Sequence, residues 1–289
     1  MDEATTTRGL LSRPGFLAQL GTVWAMFRKE FLIYLRYPMW LVSAIVGPVL
    51  WMIPNIGLGL AFIGRGGDGS HFQATTGASN YLMYLVIGGF LWGFVSSVLW
   101  NIGFALKDEM WRGTLEHNWL APVPRFYLLV GRSIFSIVTT TVESFIAMAI
   151  LAALFPFQVG GNILAALGLL VVTLIGLYGI GFIFCGLVMV VREPSAPANI
   201  IQIGLMIVCG TSYPIWVLPG WLQAVGKAVP LTYGIDAIRA VLLGSRTIYP
   251  LGVEVAILLA SAVLIPAAGY AIFQVIERRA RVLGTLGQF

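Results

Sequence analysis

The chain has 289 residues, of which 58% are hydrophobic and only 10% are charged. A soluble domain carries about 25% charged residues, so this composition excludes a water-soluble globular protein and indicates that lipid surrounds most of the chain. It also excludes secreted disulfide scaffolds, disordered proteins and nucleic-acid-binding proteins, in spite of the net charge of +5. Cys185 and Cys209 both lie in apolar runs and are predicted to be buried, with no disulfide or metal role.

The first predicted element is an amphipathic helix over residues 15–37. Its apolar side chains recur at three- and four-residue spacing, opposite a polar and basic side; they are Phe16, Leu20, Val23, Trp24, Phe27, Phe31 and Leu35. This pattern predicts a helix lying in the cytoplasmic membrane interface, before a turn at Tyr37-Pro38. A soluble helix packed on a partner is the alternative.

Six apolar runs long enough to cross a bilayer follow; they are residues 39–63, 81–106, 126–155, 163–191, 198–217 and 251–276. Thirteen of the 17 basic residues fall on one side of these spans, and the four on the other side are Arg65, Lys227, Arg239 and Arg246. Because basic residues are retained in the cytoplasm, both termini are predicted to be cytoplasmic. The expected fold is an all-α polytopic membrane protein with six transmembrane helices, in which residues 1–289 form a single transmembrane domain.

Three of the spans contain unusual side chains. Trp51 and Trp92 lie near the middle of spans one and two, where they either pack between helices or line a substrate cavity that includes Asn55. Glu143 lies deep in span three and is predicted toward the outer leaflet. Its expected partner is Arg239, forming an outer clamp, and the alternative is hydrogen bonding to neighbouring hydroxyl groups.

The loop over residues 106–125 contains a short predicted helix with two faces. Glu109, Arg112 and Glu116 share one side, and Trp111, Leu115 and Trp119 form an apolar stripe. Docking into a protein groove and lying at the lipid interface both fit this pattern.

The stretch over residues 214–250 is too long for a turn and too apolar for a solvated loop. It predicts a re-entrant segment of two short helices that dip into the outer leaflet and are broken at Pro230. Asp236 and Arg239 are three residues apart, which favours a local ion pair. With Glu143, Pro230 and Tyr233 they form a candidate outer gate.

The sequence lacks the common motifs of ATP-binding proteins, metalloenzymes and serine hydrolases. There is no G-x-x-x-x-G-K-[ST] loop for ATP, no H-E-x-x-H metal motif and no G-x-S-x-G elbow. The chain is therefore predicted not to be an enzyme and to bind neither ATP nor a metal by itself.

Two segments carry a family resemblance. KDEMWRGTLEHNWLAPVPR (107–125) and YPIWVLPGWLQAVGKAVPLTYGIDAIRAVLLG (213–244) resemble the permease subunit of ABC-2 type ABC transporters, and the order of elements does so over nearly the whole chain. The resemblance implies that two copies of the permease subunit pair as a homodimer. It also implies two separate ATPase subunits that hold ATP and Mg²⁺. It also implies that substrate moves along the dimer axis.

The same resemblance assigns roles to two parts of the chain. It implies that residues 28–36 lie in an interfacial connecting helix. It also implies that the loop helix transmits closure of the ATPases to the spans, through the ATPase-coupling residues Glu109, Trp111, Arg112, Leu115 and Glu116.

The resemblance implies a permease subunit of an ATP-driven exporter in the cell membrane. Few ionisable residues lie in the spans, which favours a hydrophobic, drug-like or lipid-like cargo. A polysaccharide or glycolipid exporter permease is the alternative, and a secondary transporter or channel is a further one. A lipid-handling membrane enzyme would require Glu143, Glu254 and His71 to converge.

Overall fold

The computed structural model describes residues 16–63, 70–78, 80–113, 125–155, 160–188, 191 and 194–282. Every regular element in these ranges is helical, which confirms the all-α fold. The first four helices are α1 (Phe16–Arg36), α2 (Pro38–Ile63), α3 (Ser70–Thr76) and α4 (Tyr81–Ser97), and α4 continues as a π-helical turn (Val98–Ile102). Cys185 and Cys209 are buried, as predicted.

The remaining helices are α5 (Ala105–Trp111), α6 (Arg125–Leu154), α7 (Ile163–Val188), α8 (Ser195–Val208), α9 (Gly220–Ala228), α10 (Pro230–Leu243) and α11 (Leu251–Val282). Five stretches are long and apolar enough to cross a membrane: Pro38–Gly57, Tyr81–Ile102, Phe126–Leu154, Ile163–Val188 and Leu251–Arg279. They match five of the six predicted spans. The protein is therefore a multi-pass membrane protein.

The fifth predicted span, 198–217, is wrong in its length. The helix in this region, α8, has 14 residues and ends at Val208, so it covers about 21 Å, less than a bilayer core. Gly210 follows in the left-handed conformation with φ +68°. A glycine in this conformation commonly ends a helix, because other residues adopt it at a cost.

The long helices alternate in direction along the chain. Helices α7 and α11 run parallel and pack closely, since a Cβ atom on Gly269 would lie 2.5 Å from the carbonyl oxygen of Gly179. Helix α4 runs antiparallel to α2, as Gly89 lies against Met52, and antiparallel to α6. Helix α8 is also antiparallel to α4, and its end brings Thr211 beside Gly88 near the middle of α4.

The stretch before the last span forms two short helices with a break at Pro230, as predicted. Pro230 lies beside Leu177 of α7, about 21 Å along that helix from its first residue. Helix α10 then runs back to the beginning of α7, where the amide of Asn162 donates to the carbonyl oxygen of Val241 at 3.3 Å. Residues 231–239 of α10 are all buried in the bundle.

Helix α1 packs along α6 through part of its predicted apolar face, which includes Val23 and Phe27. The contacts include the approach of Gly131 to Val23 and Met26, and Glu30 is buried on the same side. Much of the predicted apolar face points away from the bundle, and its exposed members are Leu20, Trp24, Phe31 and Leu35. This face is available to lipid or to another protein.

Candidate functional site

Six charged side chains meet where α1, α5 and α6 come together; this charged cluster consists of Lys29, Glu30, Asp108, Glu109, Arg112 and Arg132. Lys29 Nζ lies 2.6 Å from Glu109 Oε1, and Arg112 lies 3.5 Å from Glu30. Arg132 pairs with Asp108 and lies 3.9 Å from Glu30. Three basic and three acidic groups therefore balance one another in a largely buried place.

Glu109 and Arg112 share one side of α5, 4.0 Å apart, and this side faces α1. Glu109 is buried against α1, and Arg112 reaches Glu30, because each charge finds an opposite charge within the chain. The side chain that does point outward from α5 is Trp111, which is 72% exposed. Lys107 Nζ lies 5.0 Å from the centre of its ring. Leu115 and Glu116 lie outside the described residues.

Sequence reasoning missed Glu30 and Asp108 as members of this site. The available signal was the position of Glu30, seven residues after Val23 and four after Met26, on the face of α1 that packs against α6. A carboxylate on a packed helix face needs a cationic partner. Arg132 supplies that partner, at the equivalent depth of α6.

A cavity of about 360 Å³ opens between α2, α4 and α6. Three indole rings line it, Trp51, Trp92 and Trp100, and the polar side chains in its wall are Ser96, Ser97, Asn101, Thr140, Glu143 and Ser144. The cavity wall therefore combines aromatic rings with several hydroxyl groups. A molecule that is apolar and flat, with a few polar atoms, matches such a wall.

The two tryptophans predicted for a cavity are brought together in its wall. Their ring centres are 6.4 Å apart with 20° between the ring planes, so Trp51 and Trp92 stack, and Trp51 is 39% exposed. The two rings pack on each other and also line the space. Asn55 is placed elsewhere: its amide donates to the carbonyl oxygen of Trp51 at 2.9 Å, within α2.

Glu143 lies in the cavity wall and accepts a hydrogen bond from the Tyr34 hydroxyl of α1. Burial, together with the neighbouring Glu143, raises the pKa of Tyr34 above its ordinary value, so the hydroxyl keeps its proton and is the donor. The expected clamp between Glu143 and Arg239 is wrong, because the two side chains have different partners.

Arg239 is 2% exposed and joins α10 to α4 and to the segment after α8, through backbone carbonyl oxygens. It donates to the carbonyl of Tyr84 at 3.0 Å and 3.1 Å, to Gly210 at 2.7 Å and to Thr211 at 2.5 Å. Gly210 and Thr211 follow the last residue of α8, where helical carbonyls lack amide partners. The guanidinium also lies over the Tyr84 ring, 3.6 Å from its centre.

The local ion pair between Asp236 and Arg239 is not formed. Asp236 accepts a hydrogen bond from the amide of Ile248 at 2.8 Å, while the Arg239 guanidinium is occupied by carbonyl oxygens. The Tyr233 hydroxyl donates to the carbonyl of Lys227 at 2.6 Å, across the break at Pro230. Of the five candidate gate residues, Pro230, Tyr233, Asp236 and Arg239 therefore share one region, and Glu143 belongs to the cavity.

Glu254, considered with Glu143 and His71 for a lipid-handling enzyme, does not converge with Glu143. It is buried at the beginning of α11, where Tyr249 donates its amide to Oε1 at 3.0 Å. The side chain of His71 lies outside the described residues.

Comparison with known proteins supports the architecture. The chain is 21% identical over 227 residues to a daunorubicin resistance ABC transporter permease protein of Streptomyces coeruleorubidus, which covers 78% of this chain and 76% of that protein. It is 24% identical over 225 residues to a transport permease of Cyanophora paradoxa, covering 75% and 72%. The family model described as ABC-2 type transporter matches residues 21–243, which include most of α1, the charged cluster, the cavity and α10. The chain therefore belongs to the ABC-2 type transporter family.

Proposed function

We propose that this protein is the permease subunit of an ATP-driven exporter in the cell membrane, which moves a hydrophobic, drug-like or lipid-like molecule by alternating access. Two separate ATPase subunits hold ATP and Mg²⁺, and a second copy of this chain completes the pathway. The observation that carries the proposal is the charged cluster, because it connects α5 to both α1 and α6. Transport that persists after the ATPase subunit is disabled would contradict it.

The proposed topology has six crossings with both termini in the cytoplasm. The alternating directions of the long helices support this topology. Helix α8 and the residues after it form the sixth crossing. The depth of Pro230 beside Leu177 supports a re-entrant segment, since α9 and α10 then enter and leave on the same side. The exposed apolar face of α1 supports contact of that helix with lipid beside α6.

Coupling is proposed to run from the ATPase through α5 into the spans. Breaking a buried ion pair by removing one partner costs about 3 to 5 kcal/mol, so α1, α5 and α6 should move together when α5 is displaced. Trp111 is the proposed docking side chain, because it is a large exposed ring at the end of α5. Glu109 and Arg112 then act by holding α5 in place.

Replacing Trp111 by Ala tests this docking. The ring is 72% exposed, so the free energy of unfolding should change by less than about 0.5 kcal/mol. Buried aromatic anchors of interfaces cost about 2 kcal/mol or more when truncated, which corresponds to roughly 30-fold weaker binding of the ATPase subunit. Titration of that subunit onto the permease in lipid nanodiscs measures the change.

Trp221→Ala is the matched control, since Trp221 is 69% exposed on α9, within the proposed outer segment. This variant should bind the ATPase subunit like the unmodified protein. Equal binding by the Trp111 and Trp221 variants would contradict a docking role for α5.

The cavity between α2, α4 and α6 is the proposed cargo site. Its volume of about 360 Å³ falls in the range of about 300 to 1,000 Å³ for small-molecule sites. Its stacked indole pair favours flat apolar cargo. The name of the Streptomyces relative, which links it to daunorubicin resistance, supports drug-like cargo.

Replacing Trp51 by Ala is expected to weaken cargo binding by about 1 to 3 kcal/mol, because a stacking surface is lost. Stability should fall less than for Trp92→Ala, since Trp51 is 39% exposed and Trp92 lies deeper in the packing. Export and melting temperature, measured on both variants, separate these effects. Trp40→Ala, on the same helix but outside the cavity wall, is the control; export that is normal in all three variants would reject the cargo site.

A further inference from the structure

We propose that Glu143 is a specificity-determining residue of the cavity and that the cargo is a flat aromatic molecule with a positively charged nitrogen. This inference rests on the proposed cargo site, and it adds the charge of the cargo to it. The evidence is the placement of one carboxylate in the same wall as three indole rings, Trp51, Trp92 and Trp100.

The Glu143 carboxylate accepts a hydrogen bond from the Tyr34 hydroxyl. Among the residues that the structure describes, no Lys, Arg or His lies within 4.0 Å of this carboxylate. This differs from Glu30 and Glu109, which are each paired with a basic side chain. An ionised carboxylate in a partly desolvated wall is unfavourable unless a cation is supplied, and a bound cationic group supplies it.

The remaining wall suits the rest of such a molecule. The stacked faces of Trp51 and Trp92 attract a flat ring, and a cationic ring more strongly than a neutral one, because the indole face is electron-rich. The hydroxyl groups of Thr140 and Ser144 lie in the wall with Glu143 and can accept hydrogen bonds from an ammonium group. Anionic cargo is disfavoured, because it would face the carboxylate.

The test uses two probes of nearly equal shape, N-methylacridinium, which is permanently cationic, and acridine, which is neutral at pH 8. Binding of each is measured by fluorescence anisotropy on the assembled permease and ATPase complex in nanodiscs. The unmodified complex should bind the cation more tightly. Glu143→Gln should weaken binding of the cation by about tenfold or more and change binding of acridine by less than about twofold, because only a charge-assisted contact is lost.

Tyr34→Phe provides a second variant in case Glu143→Gln fails to assemble. It removes the hydrogen bond to the carboxylate and leaves the charge, so the preference for the cation should be kept or increased. Loss of that preference in Tyr34→Phe, or equal weakening of both probes by Glu143→Gln, would overturn the assignment. So would the absence of any effect of Glu143→Gln.

The two proposals fail in distinguishable ways. If Trp51→Ala and Trp92→Ala leave both probes bound as before, the cargo site itself is wrong. If they weaken both probes while Glu143→Gln weakens neither, the cargo site stands and the cationic preference is wrong.

Discussion

Arg239→Met is expected to lower the free energy of unfolding by about 2 to 4 kcal/mol. The substitution leaves the carbonyl oxygens of Gly210 and Thr211 without the Arg239 donor in a buried place, and each unsatisfied group costs about 1 to 3 kcal/mol. Removing an Arg that is 2% exposed returns part of this cost, because a buried charge is itself unfavourable. The melting temperature in detergent measures the net effect.

Arg246→Met is the control for this prediction, since Arg246 is exposed in the loop after α10 and its replacement should change stability by less than about 0.5 kcal/mol. Arg239→Lys should fall between the two, because an ammonium keeps the charge but not the planar fork that reaches three carbonyls. Equal melting temperatures for the two Met variants would show that Arg239 does not fix the end of α8 against α4 and α10.

Arg132→Met is expected to uncouple ATP hydrolysis from export. Arg132 is buried and contacts Asp108, Glu30 and the carbonyl of Ala105 at 3.1 Å, so its loss releases α5 from α6. Glu30 keeps Arg112 at 3.5 Å, so the loss of the Arg132 contacts should destabilise the packing of α5 on α6 by about 1.5 to 3 kcal/mol. The measurement is the amount of cargo exported for each ATP hydrolysed, by the reconstituted complex.

Two variants make this result specific to the charged cluster. Arg36→Met removes an exposed basic residue at the end of α1 and should leave the export ratio unchanged. The exchange of Lys29 and Glu109, as Lys29→Glu with Glu109→Lys, should restore part of what each single change loses, because the pair at 2.6 Å is re-formed. Unchanged coupling in Arg132→Met would separate the charged cluster from energy transmission.

Together these variants distinguish two kinds of buried arginine in this protein. Arg239 is surrounded by carbonyl oxygens and aromatic carbon, so its contribution is to fix the end of α8 against α4 and α10. Arg132 is surrounded by carboxylates on two other helices, so its contribution is to join elements that move together. We expect the first substitution to act mainly on stability and the second mainly on coupling.

The sequence by itself determined the features that depend on local composition and spacing. Apolar runs set five spans close to their observed limits, because a segment of about 20 apolar residues can be stable in lipid only as a helix. The break at Pro230 followed from the missing amide of proline. The sequence likewise placed Trp51 and Trp92 near the middle of their spans, because both residues are far from the span ends.

Only the tertiary structure decided which charged groups meet. Glu30 and Glu109 are 79 positions apart and are joined through Lys29 and Arg112, and nothing in their spacing along the chain indicates this. Glu143 and Arg239 were natural partners by charge, yet one faces Tyr34 and the other faces carbonyl oxygens. Partner choice among buried polar groups depends on how helices distant in sequence pack, and one-dimensional spacing does not contain that information.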